Sequence, residues 1–151
     1  MKLAEALLLR SDMKKKFASL RERVVANAVV QQGDKPHEDP SKLMKEAVAV
    51  LDGMEELILK INAANLSSKL PDGRTLAAVI ALRDKLVQQH SLIQAAIKGS
   101  QKEPDRYSMK EIKWKATIEV TKLQKQSDDL ARRIRELNAQ IQELNWKVEI
   151  K

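Results

Sequence analysis

Apolar residues recur along most of the chain at intervals of three and four. From about Leu3 to Val30, every seventh residue reads Leu3, Arg10, Phe17 and Val24. The companion series is Ala6, Met13, Leu20 and Asn27. A stripe held over four heptads predicts one long packed helix. Gly33 and Pro36 lie in the stretch from Gln31 to Pro40, which reads as a loop.

Ser41 is the expected N-cap of a second helix. Its two series are Met44, Leu51, Ile58, Asn65 and Ala47, Met54, Ile61. Gly53 falls in mid-helix, at a cost of about 1 kcal/mol against Ala unless a neighbour needs the space. Leu66-Ser67-Ser68 and the turn signal Pro71-Asp72-Gly73 end this helix. The loop is short enough to fold the second helix back on the first as a hairpin over residues 3–66. Those boundaries pair Phe17 with Met54, and set Arg10 beside Ile61.

A third helix is expected over residues 75–97, with the stripe Leu76, Val79, Arg83, Leu86, His90, Ile93 and Ile97. Gly99 through Asp105, including Pro104, is the next expected break. Residues 112–151 read as strand, helix, strand. Ile112, Trp114, Ala116, Ile118 and Val120 alternate with polar residues, and Trp146, Val148 and Ile150 repeat that period of two. Between them, from about Thr121 to Asn145, Leu123, Leu130, Leu137 and Leu144 recur every seven residues beside Ser127, Ile134 and Ile141. That seam is the kind used by two-stranded coiled coils. The two strands can pair with each other or with another subunit. The expected fold is mainly α, a single helical domain over 1–151 built as a coiled-coil-like bundle of long antiparallel helices, with two short β-strands near the C-terminus.

Composition removes several alternatives. The chain has 151 residues and no Cys, which excludes disulfides, cysteine-ligated metals and thiol catalysis. The net charge of +7 invites a nucleic-acid reading. Yet residues 1–40, 41–100 and 101–151 carry +2, +2 and +3, an even spread where a phosphate-binding face needs a cluster. Nucleic acid is therefore not the expected partner. The longest apolar run, Leu76 to Leu82, is far short of the ~18 residues of a membrane span. Glu5 and Arg10 interrupt the apolar N-terminus, so no export signal is read there, and the cytoplasm is the expected compartment.

Candidate chemistry is sparse. His37-Glu38-Asp39 lies on a loop and lacks the helical spacing of a zinc site. His90 sits on an apolar face, as a core histidine. No phosphate loop or nucleophile elbow occurs. No catalytic residue, metal or cofactor is expected. One polar constellation stands out: Arg10, Asn62, Asn65, Arg83 and Asp84. Polar groups set in apolar stripes need one another as partners, either as a network fixing register or as a small anion pocket.

Several short motifs resemble a known family. They include Met1-Lys2-Leu3-Ala4-Glu5-Ala6-Leu7, Leu20-Arg21-Glu22-Arg23, Ile61-Asn62 with Asn65, and Asp72-Gly73-Arg74-Thr75-Leu76. Asn27-Ala28, Gln32-Gly33-Asp34, Glu38-Asp39-Pro40, Arg83-Asp84, Arg106-Tyr107-Ser108, Glu111-Ile112-Lys113-Trp114 and Asn145-Trp146 complete the set. Together they resemble the small bacterial helical proteins that go under the name septicolysin, a domain of unknown function. The resemblance implies an oligomeric helical protein, a hexamer, and carries no catalytic residues. A structural or interaction role as a homo-oligomer, with no enzymatic activity, is the leading expectation, its protein partner unknown. The alternatives are a septicolysin-type pore-forming cytolysin and a weak nucleic-acid binder.

Overall fold

The computed structural model describes residues 1–101 and 112–151. Among them the chain is mainly helical, with α1 at Leu3–Ala26, α2 at Pro40–Ser67, α3 at Leu76–Ser100 and α4 at Val120–Lys147. They divide into two compact units. The first comprises Met1–Leu76 and Gln142–Lys151, the second Ala77–Ile141. Arg106-Tyr107-Ser108, Glu111 and the end of the break expected at Gly99 to Asp105 lie outside the described residues.

In the first unit α1 and α2 pack as an antiparallel hairpin. Its core is Leu20, Leu43, Ala47 and Val50, with Met13, Phe17 and Val24 packed against it. Asn27 ends α1 four residues before the expected Val30. Its Nδ2 donates to the Arg23 carbonyl (2.9 Å) and its Oδ1 accepts from the Glu38 backbone N–H (3.0 Å). The stripe position thus serves as a cap, joining the helix end to the loop. Asp39, not Ser41, is the N-cap of α2, accepting from the Ser41 N–H at 2.9 Å, with Pro40 at the first helical position.

These boundaries slide the pairing. α1 stops four residues early and α2 starts one early, so Met13 stands against Gly53, where the expected ends would set it against Ile58. Phe17 does not pair with Met54, and Arg10 is not level with Ile61. A Cβ added at Gly53 would sit 3.1 Å from Met13 Cε, so this glycine makes room for the Met13 side chain. Beyond α2, Gly73 takes φ +87° in a tight turn closed by hydrogen bonds between Leu70 and both Gly73 and Arg74. Asp72 accepts from the Arg74 backbone and side chain there.

Two antiparallel hydrogen-bonded side-chain pairs join α3 and α4 in the second unit. Gln94 Nε2 donates to Ser127 Oγ (2.6 Å), and Arg83 Nη1 donates to Asn138 Oδ1 (3.1 Å). Val79, Leu86, Ile93 and Ile97 of α3 and Leu130, Leu137 and Ile141 of α4 are buried. The α4 seam is therefore consumed within the chain. α3 also runs through Gly99 to Ser100, past the break expected there.

The two C-terminal strands do not form among the described residues. Ile112 and Trp114, which should face a core, are 74% and 65% exposed. Val120 opens α4, and Trp146 lies in its last turn. A period of two marks a strand only where a neighbouring strand accepts its backbone bonds. The C-terminal tail instead meets the N-terminus as an isolated antiparallel bridge, Lys2 to Glu149. The Leu3 N–H donates to the Val148 carbonyl and the Ile150 N–H to the Met1 carbonyl, each at 2.9 Å.

Candidate functional site

The five residues of the predicted polar constellation fall in both units. In the first, Arg10 is half-buried on α1, while Asn62 is exposed and Asn65 half-buried on α2. Among the described residues no hydrogen bond or ion pair joins these three. In the second, Arg83 is partly buried, and its Nε donates to Asp84 Oδ1 at 2.8 Å. Asn138 completes that cluster from α4. No periodic signal marks Asn138 in the sequence, since it is one step from the apolar seam at Leu137. Ser127 was legible only as a gap in the Leu and Ile series, and it is 1% exposed.

His37 is exposed on its loop and His90 half-buried on α3. Among the described residues no group of three or more His, Asp or Glu side chains is placed to hold a metal. Among the described residues, too, no helix is long and apolar enough to cross a membrane.

The hairpin has two unlike faces. On one, Lys16 pairs with Glu46 across the helices at 3.0 Å. Near the loop, the Arg23 guanidinium pairs with the Glu38 carboxylate. That contact holds Glu38 below the usual carboxylate range and raises Arg23, the side-chain hydrogen bond being the main cause of each shift. At its open end, Leu9, Met13, Gly53 and Leu57 line a recess with Ile150 of the C-terminal tail. Lys2 and Glu149 pair beside it at 2.9 Å, which lowers the Glu149 carboxyl.

The other face carries large apolar side chains in the open. Val25 is 68% exposed, Val48 56% and Met44 52%. Phe17, Ala18 and Val25 line an open groove along α1 with Arg21 and Glu22. Met44, Val48 and Ala49 line another along α2 with Lys45 and Asp52. Arg10, Lys14 and Arg21 on α1, and Glu55 on α2, have no ion pair among the described residues.

Comparison with known proteins adds kinship. No curated protein matches the chain. A crystal structure of a functionally unknown conserved protein from Corynebacterium diphtheriae is similar, with 32% identity and a TM-score of 0.93. The match covers 100% of this chain and 99% of that one. Neither that structure nor the matching family model has a link to septicolysin, and the expected kinship is corrected accordingly. The motifs behind it are short, and several fall on helices, where propensity and solvation alone favour Leu, Ala, Glu and Arg. Residues 10–150 match the model described as a Family of unknown function (DUF6847), and the chain belongs to that family.

Proposed function

We propose that the protein is a non-enzymatic structural or interaction protein that works as a homo-oligomer. The observation supporting this reading is the open apolar face of the α1–α2 hairpin, with Val25, Met44 and Val48 each more than half exposed. Such side chains gathered along a pair of helices favour a protein surface as their cover. Nucleic acid fits less well. Lys2, Lys16, Arg23, Arg74, Arg83, Arg132 and Lys147 each lie against a carboxylate, which leaves the basic excess dispersed. The cytoplasm is the compartment proposed, on the absence of cysteine from the sequence.

Light scattering at micromolar concentration tests the reading. The expected mass is at least twice the 17.1 kDa of one chain. A monomer across that range would refute it.

A further inference from the structure

The unlike faces of the hairpin carry the homo-oligomer reading further, and the contact inferred from them rests on that reading. At 3.6 residues per turn, Phe17, Arg21 and Val25 of α1 lie to one side of the packing seam, with Arg10 and Lys14 further along the same side. Met44, Leu51 and Val48 of α2, followed by Glu55, lie to the matching side. Lys16 and Glu46, which pair with each other, mark the opposite side of both helices. The register that sets Met13 against Gly53 brings Ala18 level with Val48. The loop-proximal half of this face is therefore mainly apolar. Toward the open end it becomes charged, basic on α1 and acidic on α2.

We propose that this face is covered by the same face of a second copy, related by a two-fold axis parallel to the hairpin. Each α1 then lies antiparallel over α2 of the partner, giving a four-helix bundle. An axis in that direction preserves height along the helices. Apolar residues meet apolar residues, with Ala18 and Val25 approaching Val48 of the partner subunit and Met44 of the partner subunit. Arg10 and Lys14 reach the level of Glu55 of the partner subunit.

Charge selects this axis over the other face-to-face choice. A two-fold axis across the hairpin would lay α1 on its own copy and bring Arg10, Lys14 and Arg21 against like charges, which opposes association. The unpaired charges point the same way. On the Lys16 side of the hairpin, cross-helix and loop carboxylates neutralise the bases within the chain. On this side Arg10 and Lys14 of α1 and Glu55 of α2 have no ion pair among the described residues, and a second copy supplies each of these three with its opposite.

The test uses the full chain, with light scattering and sedimentation for association and circular dichroism for helicity. Val48→Glu places a charge in the proposed contact and is expected to weaken association at least tenfold with helicity kept. Leu92→Glu, at an exposed α3 residue, is expected to leave it unchanged. Lys14→Glu should weaken association, and Lys14→Glu with Glu55→Lys should recover it. If the wild type is a monomer, both this inference and the homo-oligomer reading fall. If it is an oligomer that Val48→Glu leaves intact, this contact is wrong and that reading stands. If the charge exchange recovers nothing, the placement of α1 over α2 is wrong.

Discussion

The α1–α2 hairpin and the α3–α4 pair are both antiparallel helix pairs, yet they use their apolar residues differently. In α3 and α4 the seam turns inward: Val79, Leu86 and Ile93 are buried, as are Leu130, Leu137 and Ile141. Two polar pairs bridge it, Gln94 with Ser127 and Arg83 with Asn138. In the hairpin the seam is narrower. Leu20, Leu43, Ala47 and Val50 close it, while Val25, Met44 and Val48 remain outside. A heptad stripe thus reports a packing face, and says nothing of whether the partner lies in the same chain. The α4 stripe reads as an intermolecular seam and is used internally. The open apolar residues of the hairpin mostly lie off its stripes.

The sharpest test of the hairpin seam is Leu20→Ala. Leu20 is 1% exposed, so its truncation removes buried methyl groups and leaves a cavity. The expected loss is about 2–5 kcal/mol in denaturant unfolding. Val25→Ala, on the open face, should stay within about 0.5 kcal/mol when measured dilute. Equal losses at the two positions would erase the distinction between seam and open face.

In the second pair the corresponding test is Ser127→Ala. The substitution removes the buried acceptor of the Gln94 amide, and because Gln94 is itself exposed to water the expected loss is that of one net hydrogen bond, roughly 0.5–1.5 kcal/mol. A value near zero would mean that water serves Gln94 equally well and that this bond does not hold the register.

Arg83 and Arg10 compare the two units directly. Arg83→Ala breaks bonds to Asp84 and Asn138 from a partly buried side chain, at about 1 kcal/mol. Asn138→Ala should reproduce part of that loss. Arg10→Ala should change the unfolding free energy of the dilute chain by no more than ~0.5 kcal/mol, and weaken self-association instead. A large loss of stability at Arg10 in the dilute chain would restore a structural network around it.

Gly53→Ala probes the fit of the hairpin more gently. The gain in helix propensity is about 1 kcal/mol. The added methyl meets only the flexible end of Met13, 3.1 Å away, which can shift by a few tenths of an ångström. A net gain below about 1 kcal/mol is expected in thermal or denaturant unfolding. A loss would show that the helices cannot yield there.

The smallest effect concerns the tail. The Lys2 side-chain hydrogen bond and charge, with the N-terminal amine, hold the Glu149 carboxyl below its ordinary value. A depressed carboxyl adds stability above its unfolded pKa and loses it as pH falls through the folded one. Tail docking should therefore weaken in acid, below the usual carboxylate range. An NMR titration of Glu149 should show the depressed value, and Lys2→Met should move it toward normal. An unchanged titration would mean that Lys2 does not hold the tail.

Much of this was legible in the sequence. The heptads located the helices because long amphipathic stripes have few other stable uses, and Asn27 and Ser127 showed as polar gaps within them. The even spread of charge followed from counting. Tertiary structure decided what local pattern could not. Asn27 became a cap because Glu38 came within reach, and the earlier end of α1 that goes with it slid the hairpin register and took Arg10 away from Ile61. Alternating residues at 112–120 formed no strand because a strand depends on a partner edge. Arg83 met Asn138 because α4 folds back along α3. Sequence periodicity determines which residues seek cover; which surface supplies it depends on contacts between residues far apart in the chain, through loop ends and caps whose placement one hydrogen bond can shift.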